Sequence, residues 1–287
     1  MSPLTAPQKH WLTIAALWCF LLFLAALRPL ALPDEGRYVE VSRWMLVSGD
    51  WLAPRLNGLP FFHKPPLLHW LQSITFALTS VSVWTARLVP AVHAGLVLIG
   101  LYLATRKIAG EATAGRAVLM LGSSLTFLFA GQFINHDILV ATWISAAIGC
   151  FAFAFMDSED HVDAAWARWG FVACGLAVLS KGLIGLVLPG IVIFIWLLWT
   201  RQLGKVWRLP WASGLFLLAA IALPWFVSAQ LKYPGFFDYI IVKQNFARYT
   251  DSTFNSVSPW WFYLPALSIL LFPWCVFSFL PLLPKIR

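Results

Sequence analysis

The segment LPDEGRYVEVSRW concentrates charged side chains in a chain where only 11% of the residues are charged. Asp34 and Glu35 provide two carboxylates, and Arg37 and Tyr38 follow within about one helical turn. Such acids can orient or deprotonate an attacking group, and the guanidinium can hold an anion. The structural alternative is that the acids only begin a short amphipathic helix, ending near Val47, whose dipole favours them there.

Further charged residues interrupt otherwise apolar stretches. Asp137 lies between two apolar runs, where an acid is costly unless it faces water or a partner, and its alternative is a solvated turn residue. Lys181, in GLAVLSKGLIGLVLPG, suits a lipid-borne phosphate, although a lysine can also merely mark a helix end. Arg248 offers a bidentate fork for the same group, and Lys64 is a third cation.

The remaining candidate ligands do not form a recognisable metal or disulfide pattern. The histidines at 63, 69, 93 and 136 lack zinc spacing, and we interpret them as polar interfacial side chains, although His63 is placed well enough to be a ligand. The four cysteines all lie inside apolar stretches without C-x-x-C spacing. They are therefore interpreted as small packing residues.

The composition indicates a membrane protein. Hydrophobic residues make up 60% of 287, the mean hydropathy is +0.78, and 17 residues are tryptophan. A soluble domain of this size could not bury that much apolar surface. The net charge of +8 suits anionic lipid and phosphate-bearing ligands, and because the basic residues do not form runs it does not indicate nucleic acid.

Long uncharged runs predict an all-α, polytopic helical protein, because helices satisfy their own backbone groups in hydrocarbon. We predict about eight spans, near 11–31, 84–105, 116–135, 138–156, 168–180, 182–200, 209–229 and 259–282. The stretch 64–80 is less apolar and could span or lie along the surface. The positive-inside rule favours a surface position, which puts loops 33–83 and 230–258 on the outer face together with all the candidate acids and cations.

Acids and cations gathered beside a bilayer fit one chemistry well. When an acceptor oxygen attacks the anomeric carbon of a sugar carried on a lipid phosphate, cations stabilise the departing phosphate and an acid orients or deprotonates the acceptor. A carrier protein that only binds polyprenyl phosphate is the alternative from another class. An ion-coupled transporter ranks third, because most of the acids lie in loops rather than in mid-span.

The ordered motifs resemble the aminoarabinose transferase and protein O-mannosyltransferase superfamily, which are membrane glycosyltransferases of the GT-C class. The resemblance runs through the whole chain and is greatest to the lipid A-modifying branch. The motifs that carry this resemblance are, in chain order, DEGRY, SGDWLAPRLNGLPFFHKPPLLHW, Asp137, LSKGLIGLVLP, NFARY, and SPWWFYLP with FPW.

The resemblance implies an inverting transfer of an aminoarabinose-like or hexose sugar from a polyprenyl-phosphate donor to lipid A or another envelope acceptor. It implies a periplasm-facing site in the bacterial inner membrane, within a single domain over 1–287 that has juxtamembrane helices in its first outer loop. Asp34 would be the leading catalytic acid, with Glu35 and Asp137 as further acids. The implied donor and cavity contacts are Arg37, Tyr38, His63, Lys64, Lys181 and Arg248.

The chain departs from the superfamily pattern where that pattern carries candidate metal ligands. A glutamate usual before the lysine of KPP is His63 here, and an acid and a histidine usual ahead of Arg248 are Gln244 and Asn245. Binding of a divalent metal is therefore only an expectation from the resemblance, and His63 is the one residue that we expect as its ligand. Superfamily members generally continue beyond the equivalent of residue 287, so the chain is compatible with a fragment, with a short relative, or with one part of a split transferase.

Overall fold

The computed structural model describes residues 5–156, 161–247 and 259–278, and these residues are almost entirely helical. Helices α1 (Ala6–Leu27), α4 (Val83–Ala109), α7 (Asp137–Met156) and α10 (Trp211–Lys232) are the four in the described ranges that are long and apolar enough to cross a membrane. Helices α8 (Ala164–Lys181) and α9 (Ile184–Trp199) pack with them at two further predicted positions. The prediction of an all-α polytopic membrane protein is confirmed.

The first predicted outer loop contains two short helices and a small hairpin. Helix α2 spans Asp34–Ser48, strands β1 (Arg55–Leu56) and β2 (Leu59–Pro60) pair antiparallel, and α3 spans Leu67–Leu78. The predicted helix ending near Val47 is confirmed, and Gly49 ends it in the left-handed conformation at φ 69°. Helix α3 has 12 residues, about 18 Å, and cannot cross a hydrocarbon core of about 30 Å.

The predicted span over 116–135 is interrupted and does not form one continuous helix. The chain forms α5 (Glu111–Gly122) and then α6 (Leu125–Ala130), with two serines between them. The Ser124 hydroxyl contacts both the carbonyl of Leu121 and the N–H of Phe127, which gives the backbone an alternative to continued helix.

The predicted span over 259–282 is also interrupted within its described part. A 3₁₀ turn (Trp260–Phe262) leads into α11 (Tyr263–Leu270), and α12 (Cys275–Ser278) follows after a break that contains Pro273, which has no N–H to donate. The residues at the two helix interruptions contact each other. The N–H of Leu125 donates to Phe272, the Thr126 hydroxyl donates to Leu270, and the Trp274 indole donates to the Ser123 hydroxyl.

A short helical segment follows each of α9 and α10. A 3₁₀ helix (Leu203–Arg208) connects α9 to α10, and a π-helical segment (Asp238–Ala247) follows α10. Gly182, at φ 87°, turns the chain sharply from α8 into α9. That positive φ is readily adopted only by glycine, and it places Lys181 at the end of α8.

A buried ion-pair network joins the ends of several helices. Both oxygens of Glu35 accept from Arg28 and from Arg87, at 2.5–3.2 Å, and also from the backbone N–H groups of Ala31 and Ile134. The side chains of Glu35 and Arg87 have no exposed surface. Arg87 donates further to the carbonyls of Ala25, Arg28 and Pro29. The network therefore connects α1, α2, α4 and the segment before α7.

These contacts stabilise the charged form of the glutamate. Burial alone would raise the pKa of Glu35, but the hydrogen bonds from Arg87, Arg28, Ala31 and Ile134 outweigh it and lower the pKa from 4.5 to about 2. Glu35 was predicted as a catalytic acid. Because all its acceptor capacity is used inside the protein and none of its surface is exposed, it cannot touch a substrate in this conformation, and its role is structural.

Glu35→Gln should strongly destabilise the protein, because it leaves the Arg87 charge buried with an incomplete partner. The expected loss is about 3–5 kcal/mol in free energy of unfolding, measured in detergent by thermal or chemical denaturation. Glu40→Gln is the matched control, since Glu40 pairs with Arg43 on the exposed face of the same helix. Its loss should stay below about 1 kcal/mol. Equal losses in the two variants would contradict the structural role of Glu35.

The low pKa of Glu35 also predicts a pH dependence of stability. A depressed folded-state pKa contributes stability that is fully present above the unfolded value of 4.5 and is lost as pH falls towards the folded value of about 2. The unfolding midpoint of the unmodified protein should therefore drop between about pH 4.5 and 2. Glu35→Gln should flatten that part of the curve, and an unchanged acid slope in this variant would assign the dependence to other carboxylates.

Candidate functional site

The structure brings most of the predicted site residues together at one end of three helices. They come from the first turn of α2, from the segment before α3, from the start of α7 and from the end of α8. We call this group the acid–base cluster; its members are Asp34, Arg37, Tyr38, Lys64, His136, Asp137 and Lys181.

Asp34 and Arg37 form an ion pair on the first turn of α2. Arg37 Nη2 donates to Asp34 Oδ1 at 2.5 Å. The Arg37 side chain is 32% exposed, and the Asp34 side chain is 52% exposed. The guanidinium carbon lies 5.2 Å from the ring centre of Tyr38 and 5.7 Å from that of Phe61. These cation–π contacts fix the arginine, and through it the carboxylate, while leaving Asp34 open to solvent.

Asp137 and Lys181 form the second ion pair of the cluster, between α7 and α8. Asn135 orients the acid, because its amide donates to Asp137 Oδ2 at 2.9 Å and accepts the Asp137 N–H at 2.9 Å. Both charged side chains are partly exposed. Lys181 is therefore a charge at the protein surface next to an acid, and a ligand anion could compete for it.

Tyr38 contacts Arg37 and is within electrostatic reach of the acids of both ion pairs. Burial raises the pKa of its hydroxyl, the positive charge of Arg37 lowers it, and the negative charges of Asp34 and Asp137 raise it further. Both acids are thus close enough to act on the same hydroxyl. With a raised pKa, Tyr38 keeps its proton and can donate a hydrogen bond at neutral pH.

His136 connects the lysines to this group. Burial, the neighbouring His69 and the positive charges of Lys64 and Lys181 lower its pKa well below the usual value of 6.5. Both lysines therefore lie near one imidazole, although they are more than a hundred residues apart in the sequence. His136 also packs edge-on against Tyr38, with ring centres 5.0 Å apart.

Two histidines correct the sequence interpretation. His69 and His136, interpreted as interfacial, are 0% and 2% exposed respectively. Sequence reasoning missed them because a single histidine in an apolar run gives no indication of its partners. The one available signal was the polar set His69, Gln72 and Ser73 on α3, all of which are buried against α2 and α4.

His63 and Arg248 complete the predicted set. The ring of His63 stacks on Phe61, with centres 4.4 Å apart, and lies 6.2 Å from that of Tyr239. Within the described ranges, no three His, Cys, Asp or Glu side chains are grouped so that they could hold a metal ion. Arg248 lies outside the described residues, so its predicted role stays a prediction.

Comparison with known proteins assigns the chain to a family. A family model described as dolichyl-phosphate-mannose-protein mannosyltransferase matches residues 9–240. An undecaprenyl phosphate-alpha-4-amino-4-deoxy-L-arabinose arabinosyl transferase from Pseudomonas fluorescens is 31% identical over 277 residues, covering 94% of this chain and 47% of the relative. The chain spans about half the length of such curated relatives.

Solved structures give the same result for the fold. The crystal structure of ArnT from Cupriavidus metallidurans bound to undecaprenyl phosphate superposes with a TM-score of 0.86 at 30% identity, covering 94% of this chain and 49% of ArnT. An oligosaccharyltransferase from Archaeoglobus fulgidus shares the fold alone, with a TM-score of 0.55 at 18% identity over 97% of this chain and 39% of its own. The chain therefore belongs to the dolichyl-phosphate-mannose-protein mannosyltransferase family of GT-C membrane proteins, and within it is similar to the aminoarabinose transferases.

Proposed function

We propose that this chain is a glycosyltransferase that moves a sugar from a polyprenyl-phosphate donor to lipid A or another glycolipid acceptor. The single observation that carries the proposal is the grouping of Asp34, Asp137, Lys64 and Lys181 around Tyr38 and His136. The family assignment and the similarity to aminoarabinose transferases support the reaction class. We place the site on the periplasmic face of the bacterial inner membrane, in agreement with the positive-inside arrangement.

Asp34 is the proposed catalytic acid. In an inverting transfer, the acceptor oxygen attacks the anomeric carbon from the side opposite the phosphate, the bond from that carbon to the phosphate oxygen breaks, and the phosphate leaves with the electron pair. Asp34 takes the proton if the acceptor is a hydroxyl, and positions the acceptor if it is an anionic phosphate. Its exposed carboxylate, held by Arg37 against Tyr38 and Phe61, fits both roles.

The lysines are the proposed holders of the leaving phosphate. The positive charges of Lys64 and Lys181 both lower the pKa of His136, so both lysines lie close enough to stabilise one phosphate bound near that ring. The ion pair with Asp137 keeps Lys181 in place before the donor arrives. Arg248, from the matching family motif, would add a bidentate contact.

Asp34→Asn should abolish transfer without preventing insertion into the membrane. Loss of a positioned acid–base group lowers rates by about 10²–10⁴-fold, which would be measured as transfer of radiolabelled sugar from undecaprenyl-phosphate donor in membrane vesicles. Glu40→Gln is again the matched control, because it removes an acid that is paired with an arginine three residues later on the same helix. Normal transfer by Asp34→Asn would remove the catalytic assignment.

Lys181→Ala should weaken binding of lipid phosphate. Losing a charge-assisted contact corresponds to about a ten- to hundredfold higher Kd for undecaprenyl phosphate, measured by titration in detergent micelles. Lys232→Ala is the control, because Lys232 also ends a helix and pairs with an acid, Asp50. Equal Kd values for Lys181→Ala and the unmodified protein would contradict the phosphate role, and phosphate binding without transfer from any donor would favour a lipid carrier.

A further inference from the structure

Beneath Tyr38 lies a pair of buried histidines whose ring nitrogens are not fully used. His69 and His136 have ring centres 5.5 Å apart at an interplanar angle of 72°. Nε2 of His69 and both nitrogens of His136 are buried and have no hydrogen-bond partner within the described residues. Burial lowers the pKa of His136 and the nearby Pro65 carbonyl acts in the opposite direction, but that carbonyl lies outside hydrogen-bond geometry. Buried polar nitrogens without partners are uncommon in native proteins and call for an explanation.

The hydrogen bonds around Ser42 fix the protonation of His69. Gln72 Nε2 donates to the Ala86 carbonyl at 2.8 Å, so Gln72 Oε1 faces the Ser42 hydroxyl as an acceptor. The single hydroxyl proton of Ser42 goes either to that oxygen or to the Tyr38 carbonyl, both of which can only accept. His69 Nδ1, 2.9 Å from the Ser42 oxygen, must therefore be the donor in that contact.

It follows that Nε2 of His69 presents a lone pair. Burial lowers the pKa of His69 to about 3, so the ring carries one proton at neutral pH and that proton is on Nδ1. The pair thus contains at least one buried acceptor that requires an N–H or O–H group from elsewhere. His136, uncharged for the same reason of burial, contributes one donor and one acceptor.

The position of the pair indicates what could supply that group. His136 directly precedes Asp137, packs against Tyr38 and feels the charges of both Lys64 and Lys181. If those lysines hold the donor phosphate, a sugar attached to that phosphate lies within one ring length of them. The hydroxyl and amine groups of a sugar are the hydrogen-bond donors that such an acceptor needs.

We propose that His69 and His136 form a subsite for the sugar of the lipid-linked donor, which offers an O–H or N–H group to the acceptor nitrogens of the pair. This inference rests on the proposed transferase function and deepens it. The two lysines bind the part of the donor common to all polyprenyl phosphates, and the histidine pair binds the part that distinguishes a loaded carrier from an empty one. Both ring nitrogens of His136 are closed off in this structure, so the contact requires the side chain to move when the donor binds. His136, which packs against Tyr38, then makes the direct contact, and His69 positions it.

The test compares two probes on the full chain in detergent, undecaprenyl phosphate and undecaprenyl phosphate carrying 4-amino-4-deoxy-L-arabinose. His136→Phe should raise the Kd of the sugar-bearing probe about tenfold, as expected for loss of one hydrogen bond, and change that of the bare phosphate less than twofold. His136→Gln, which keeps a donor and an acceptor, should recover much of the lost affinity. In addition, ¹⁵N spectra of labelled histidine should show His69 as the Nδ1–H form and a shift at His136 only with the sugar-bearing probe.

His93→Phe is the matched control, because His93 is also buried with an unpaired Nε2 but packs against Trp143 within α4 and α7. It should leave both affinities unchanged. If Lys181→Ala weakens both probes while His136→Phe changes neither, the subsite is wrong and the proposed function stands. Equal weakening of both probes by His136→Phe also overturns the subsite, because the residue then acts on the phosphate or on folding. If the unmodified protein binds neither probe, the proposed function fails, and the subsite fails with it.

Discussion

The carboxylate of Glu35 is the point on which the arrangement of the first helices depends. It receives two arginines and two backbone N–H groups, and Arg87 in turn donates to three carbonyls at the end of α1 and just after it. A buried ion pair is expensive to desolvate, and such a pair is stable only when its remaining hydrogen-bonding capacity is also used. Here it is used by backbone groups that a helix end would otherwise leave unpaired.

This network determines where the neighbouring acid points. Glu35 and Asp34 are adjacent in the sequence, and successive residues of a helix face directions about 100° apart. Because Glu35 is fixed inward, Asp34 lies at the exposed side of α2, where Arg37 can pair with it. One carboxylate of the DEGRY motif therefore stabilises the fold, and its neighbour remains free to act on a ligand.

The ion pairs of the protein differ in how deeply they are buried. Glu35 and Arg87 are fully buried and fully paired, whereas the ion pairs Asp34–Arg37 and Asp137–Lys181 are partly exposed. Exposed pairs contribute little to stability and can be opened by a competing ligand at small cost. His69 and His136 are buried and uncharged, so that charged and uncharged polar side chains adjoin each other around Tyr38.

The sequence alone was sufficient to determine the class of the protein, because apolar runs of this length can be satisfied only by helices in a membrane. It also made Asp34, Asp137, Lys64 and Lys181 candidate site residues, since charged residues in such a chain are few and each requires a reason. The contacts that join the breaks near Ser124 and Pro273 were not predicted, because they connect segments far apart in the chain. The burial of Glu35 and the pairing of His69 with His136 likewise depend on residues far apart in the chain. Only the tertiary structure could decide which charges are buried and which remain exposed, because desolvation and partner geometry are properties of the packed helices and not of any local pattern.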